Sequence, residues 1–289
     1  MKQYLLKNKQ LTATLKAEGA ELMSLKKIDT EYIWNGNPEY WNRHTPVLFP
    51  FVGGLVEKKY SYNQQDYSLG QHGFARDCVF DVIEKSDDKI VFELHQNKDT
   101  LNVYPFDFKL QIIYTLTEDS LTTAYKVSNP SDKIMYFSIG GHPAYACPFK
   151  PEHKREDYQL VFNNNEQPQC QLLENGLRTD SYKKVFTEAG KLDISKNIFD
   201  DDALIFNPNP FEKVSFVHKS TDKTYLTVSF KNFPYLGIWS KNAEAPFVCI
   251  EPWHGIADHK NHNQKLEDKE GIITLQPNDT FDCEYIVTL

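Results

Sequence analysis

The chain has 289 residues, 40% of them hydrophobic and 25% charged, with a formal charge of −8. That balance, without a basic run, argues against a nucleic-acid partner, and no stretch approaches the roughly 20 apolar residues that cross a bilayer. The five cysteines (Cys78, Cys147, Cys170, Cys249 and Cys283) are odd in number and form no CxxC pair; with no apolar leader after Met1, they fit a cytoplasmic protein with reduced thiols.

Alternation with a period of two dominates. Leu11, Ala13 and Leu15 face one way and Thr12, Thr14 and Lys16 the other, which predicts a half-buried strand. Glu18-Gly-Ala20 reads as a turn, and Leu22 to Leu25 as the next extended segment. Ile90, Phe92 and Leu94 alternate again. The clearest hairpin runs Phe108, Leu110, Ile112, Tyr114, Leu116, turns at Glu118-Asp-Ser120, and returns through Leu121, Thr123, Tyr125 and Val127. A second joins Val214–His218 to Leu226–Phe230, and Ile272 to Val287 closes the chain. Helical periodicity is short, confined to Lys98–Val103 and Glu188–Phe199. Asn163 to Pro168 is polar and predicts a surface loop. Many strands joined by short turns predict an all-β fold, one large antiparallel β-sandwich over residues 1–289.

Four polar stations interrupt this pattern. The first, Gln71-His-Gly-Phe-Ala-Arg-Asp77, puts His72 beside a glycine and follows it with Arg76, a planar fork of donors for oxygen acceptors. The second, Gly140-Gly-His-Pro143, follows an apolar strand that the glycines are expected to break; Pro143 then restricts His142 to an extended conformation at the sheet rim. The third is Asp200-Asp-Asp202 before Ala203-Leu-Ile-Phe206. Asp200 and Asp201 read as solvated, and Asp202 as the acid pointing inward. The fourth is Phe247-Val-Cys-Ile-Glu-Pro-Trp253. Burial at a strand end raises the pKa of Glu251 and makes it a stronger base, and Trp253 supplies an apolar wall. His254, His259 and His262 cluster in sequence but have no metal-motif spacing, so His259 and His262 read as loop residues and no metal is expected.

These four stations in this order resemble the aldose 1-epimerase (galactose mutarotase) family, in particular its LacX-like and hexose-6-phosphate 1-epimerase-like branch. The similarity runs from about Leu11 to the C-terminus and includes Leu48-Phe-Pro-Phe-Val-Gly-Gly54. It implies a galactose mutarotase-like supersandwich with a sugar cleft on one sheet, and an isomerase without a cofactor. By motif match, it implies Glu251 as the general base on the anomeric hydroxyl and His142 as the general acid on the ring oxygen. His72, Arg76 and Asp202 would hold the sugar, with Trp253 lining it. Gly54 stands where many relatives carry an arginine, and Lys58 or Lys59 are the nearest cations to replace that charge.

The expected partner is therefore a small sugar, a hexose or hexose phosphate, bound by a monomer or homodimer. Anomer interconversion needs a proton taken from the anomeric hydroxyl and one delivered to the ring oxygen, with acid and base on opposite sides of the C1–O5 region. Two other functions use the same residues: a non-catalytic sugar-binding or sensor protein on this scaffold, and a glycoside hydrolase or lyase on a β-sandwich, with Asp202 and Glu251 as the carboxylate pair a hydrolase needs.

Overall fold

The structure is a computed structural model and describes residues 2–289. Two large antiparallel sheets organise it, one of nine strands and one of eight. The hairpin Lys109–Leu116 and Ser120–Ser128 lies inside the nine-stranded sheet, in the register its alternation predicts, with Leu116 opposite Leu121. Every second residue of both arms is buried. The hairpin Lys213–His218 and Lys223–Ser229 and the last strand, Thr280–Thr288, belong to the same sheet. A four-stranded sheet formed by Gln3–Lys7, Leu11–Lys16, Leu22–Lys27 and Thr30–Glu31 adds the N-terminal part of the chain.

Side chains from the inner faces of both large sheets share one buried cluster, with Leu110 and Ile112 from one and Val248 and Ile250 from the other. Tyr145 meets Phe216 across the interface, ring centres 6.2 Å apart. Such a layered core is what period-two strands with one apolar face must build.

Among the described residues the one α-helix is Lys98–Val103, started by a capping box in which Asn97 and Thr100 exchange side-chain and backbone hydrogen bonds. The second helical expectation, Glu188–Phe199, is corrected. Lys191–Asp193 is a strand paired with Tyr158–Phe162, and turns follow it. Leu192 and Ile194 both enter the core, so two-residue alternation overrides the weak helical pattern. The break expected at Gly140-Gly141 falls earlier, at Ser138: Met135–Phe137 ends in a two-stranded sheet, and the glycines lie within the next strand, Ile139–Gly141, of the eight-stranded sheet. A Cβ on Gly140 would lie 2.5 Å from Trp253 Cδ1, so the position needs glycine because an indole packs flat against the backbone there. Asn163 to Pro168 is the surface loop expected.

Candidate active site

Phe247–His254 is the strand on which the site is built. It pairs with Tyr235–Trp239 on one side and with two short strands, Ile139–Gly141 and Ala144–Ala146, on the other. Val248 and Ile250 face the core. The alternate residues, Phe247, Cys249, Glu251 and Trp253, face the other way. Gly140 lies opposite Trp253 and Ala144 opposite Cys249, so the register is the same on both sides of the interruption. His142 therefore falls directly across from Glu251. The two side chains are cross-strand neighbours on one sheet face, where Cβ atoms stand about 5 Å apart. This differs from the arrangement expected from sequence, with acid and base on opposite sides of a sugar: the two groups stand side by side.

His142 Nε2 is 3.2 Å from a carboxylate oxygen of Glu251, and both side chains are buried. Trp41 stacks on the imidazole, centroids 4.9 Å apart, and Trp239 meets it edge-on at 5.5 Å. The backbone N–H of His142 donates to the carbonyl of Pro46, which holds the segment down. Burial pushes the Glu251 carboxyl well above its ordinary range, and the charge of Asp202 adds to the shift. Burial likewise lowers His142 to about 3, with Arg76 and Arg43 contributing. Each group is thus driven toward its neutral form.

The pair lies on the floor of a cleft of 530 Å³, a size that suits a small organic ligand. His72, Arg76, Asp202 and Trp253, singled out in the sequence, all line it. His72 has a left-handed backbone, φ +68°, and its Nδ1 accepts the N–H of Gly53. Its proton therefore sits on Nε2, and burial, followed by the neighbouring His142, keeps the ring neutral. Arg76 donates to the carbonyl of Gln71. Trp253 is 5% exposed, packed against Gly140 and Gly237.

Other expectations are revised. Asp202 borders the cleft but stays exposed, its carboxylate accepting the N–H of Ala203. Asp200, read as merely solvated, also borders the cleft, whereas Asp201 turns outward to Lys183 at 2.9 Å. Lys58 and Lys59 are exposed and do not line the cleft; its cations are Arg76 and Lys241. A Cβ on Gly54 would come within 3.0 Å of the carbonyl of Gly176, so a larger residue there would press on the cleft wall. Sequence reasoning missed Trp41, Trp239, Tyr40 and Lys241, all of which line the site. The aromatic content was a signal for the tryptophans, but nothing local marked which ones.

Behind one wall lies a buried ion pair. Lys269 Nζ is 2.7 Å from Asp258 and also donates to the carbonyl of Ile256; the other Asp258 oxygen accepts the N–H of Val56. Arg178 donates to the carbonyl of Ala257 and to Glu270. Together these bonds tie the segment around Ala257, which lines the cleft, to the segment after Gly53. Of the clustered histidines, His254 packs between Phe233 and Phe281, and His259 lies 3.4 Å from Asp180. Among the described residues no helix is long and apolar enough to cross a membrane.

Comparison with known proteins agrees with this architecture. The sequence model of the aldose 1-epimerase family matches residues 2–270. The chromosomal protein LacX of Lactococcus lactis subsp. lactis is 34% identical, the match covering 98% of each chain. The X-ray structure of a galactose mutarotase related enzyme from Lactobacillus acidophilus superimposes with a TM-score of 0.93 at 34% identity, covering 99% of this chain and 97% of that one. A galactose mutarotase-like protein from Lactobacillus casei gives a TM-score of 0.91 at 31% identity, covering 99% of both. By sequence along nearly its whole length and by fold, the chain belongs to the aldose 1-epimerase family.

Proposed function

We propose that the protein is a mutarotase that interconverts the α and β anomers of a hexose or hexose phosphate, with Glu251 as base and His142 as acid. The observation that carries this reading is the pair itself, 3.2 Å apart on the floor of a sugar-sized cleft. The anomeric oxygen and the ring oxygen are bonded to the same carbon, so two proton-transfer groups standing side by side match them.

The proton count is consistent. Neutral Glu251 with neutral His142 carries the same two protons as the glutamate–imidazolium ion pair. Moving one proton from carboxyl to imidazole converts the resting form into the active one with no uptake from water. In the reaction Glu251 takes the anomeric O–H proton while His142 gives its proton to the ring oxygen. The C1–O5 bond breaks, a carbonyl forms at C1, and the enzyme is left with the neutral pair. Burial favours that neutral pair, so the open-sugar state lies downhill of the ion-paired form from which the ring opens. Rotation about C1–C2 and reversal of both transfers closes the ring as the other anomer. Each positioned proton-transfer group is worth about 10²–10⁴ in rate, and holding the ring over both adds an orientational gain.

His72 would donate from Nε2 to a sugar oxygen, Arg76 and Asp202 would bind hydroxyl or substituent oxygens, and Trp253 would face the ring. The group at hydrogen-bond distance from Glu251 is an imidazole, which gives the site the acid–base pair that anomer interconversion uses. The test is NMR of fresh α-glucose, α-galactose and their 6-phosphates with wild type, Glu251→Gln and His142→Asn. Acceleration lost in both variants supports the reading. No acceleration on any sugar, with binding still seen by calorimetry, would replace it with a sugar-binding protein.

A further inference from the structure

We infer that His142 and Glu251 on the cleft floor, together with the adjoining buried Cys249, are also a binding site for a borderline-soft divalent cation of the zinc class, which excludes sugar when filled. This goes beyond the proposed activity, which needs no metal, and it stands or falls separately from it.

The strand register produces the site. Cys249 and Glu251 are two apart on Phe247–His254, so their side chains leave the same face. His142 reaches the same spot from the neighbouring chain segment. An imidazole nitrogen, the Cys249 sulfur and a Glu251 oxygen all lie within 4.8 Å of one another, and all three residues are buried. Donors around one tetrahedral zinc stand about 3.5 Å apart, given metal–ligand lengths of about 2.0–2.3 Å. The imidazole–carboxylate distance of 3.2 Å already meets that, and the sulfur, no farther than 4.8 Å from either donor, is close enough to be drawn in by a side-chain rotation.

The donor set selects the ion class. One thiolate, one imidazole and one carboxylate suit zinc or cobalt, whereas magnesium and calcium take oxygen donors. Three protein donors leave a fourth position for water on the cleft side. Cys249 is fully buried, in an apolar cluster against which Trp41 and Trp239 pack, so its sulfur is shielded from bulk solvent. On binding, the thiol and the carboxyl of Glu251 each release a proton to solvent, and His142 coordinates as the neutral imidazole. The cation thus occupies both proton-transfer groups at once and acts as an inhibitor.

Cobalt(II) is the probe, because a thiolate ligand adds a near-ultraviolet charge-transfer band and tetrahedral geometry adds visible bands. Titrating the full chain should develop both at one equivalent, and zinc should bleach them. Cys249→Ser should abolish the charge-transfer band and weaken zinc binding in calorimetry by more than the about 10–100-fold typical of a second-shell change. His142→Asn should weaken binding without touching the sulfur, and Cys78→Ser should leave the band intact. Circular dichroism melts confirm that each variant is folded. The inference is overturned if neither metal binds wild type, if cobalt binds without a thiolate band, or if the band survives in Cys249→Ser. Where mutarotation is measured, zinc should suppress it in wild type and much less in Cys249→Ser. A chain that binds cobalt through Cys249 but shows no mutarotation would overturn only the proposed activity.

Discussion

Glu251→Gln tests the electrostatics of the site without any knowledge of the sugar. The wild-type carboxyl is buried and held well above its ordinary 4.5 by desolvation and then by Asp202. In the unfolded chain it ionises near 4.5, while the folded protein keeps its proton to a higher pH. Between those two values the unfolded state binds fewer protons, so the contribution of Glu251 to stability falls as pH rises. The slope is about 1.4 kcal/mol for each pH unit. Glutamine has nearly the same shape and no such titration. Urea unfolding of both proteins at intervals from pH 4 to pH 9 should show the variant gaining on wild type by that slope above pH 4.5. The difference should level off once the pH passes the folded-state pKa, so the onset of the plateau reports where the carboxyl ionises. His142 stands 3.2 Å from Glu251, so the value read is the apparent pKa of the pair. A difference that stays flat from pH 4 to pH 9 would refute a carboxyl held neutral by burial. A variant whose relative stability fell with pH would mean that Glu251 is stabilised as an anion.

Other outcomes follow from neighbouring parts of the site. Gly237→Ala would set a Cβ 2.3 Å from Trp253; overpacking of this kind costs about 1–3 kcal/mol, read by thermal unfolding, and displacement of the indole should lower mutarotation together with it. Lys269→Met leaves Asp258 buried without its partner, a loss of about 3–5 kcal/mol, and calorimetry should show weaker sugar binding in whatever fraction remains folded. Burial alone would raise Glu21, but hydrogen bonds from His44 and Lys16 outweigh it and bring the carboxyl down to about 2. Its stabilisation, on the order of 3 kcal/mol, is present above pH 4.5 and is lost as pH falls toward 2, so the gap between wild type and Glu21→Gln in urea unfolding should narrow over that range.

The parts of the molecule that could be read from sequence are those governed by neighbours in the chain. The hairpin at Lys109–Ser128 was legible because its alternation, turn and return strand lie within twenty residues. His142 and Glu251 stood out because each violates a local rule, an imidazole wedged between glycine and proline and a carboxylate ending an apolar run. The environment of the pair was not legible. Trp41 and Trp239 flank His142 only because segments separated by about two hundred residues fold side by side, and neither has an unusual local context. The same holds for the Lys241 rim and for the Asp258–Lys269 pair behind the cleft wall. Residues 188–199 misled for a related reason: a weak local pattern yields to strand pairing that only the assembled sheet supplies. The neutral state of the pair follows from three-dimensional burial, which no spacing in the sequence encodes.

One consequence of the shared register concerns division of labour. Because the strands on either side of His142 keep one register against Phe247–His254, the gap between His142 and Glu251 is set by the spacing of paired backbone, as in a caliper with fixed jaws. No lid has to close to bring them together. The other polar groups that line the cleft stand elsewhere: His72 and Arg76 on one loop, Asp200 and Asp202 on another, Lys241 on a third. Under the proposed function, exchanging those loops would retune which sugar is held while the jaws kept their setting, so the scaffold could change its client without rebuilding its tool.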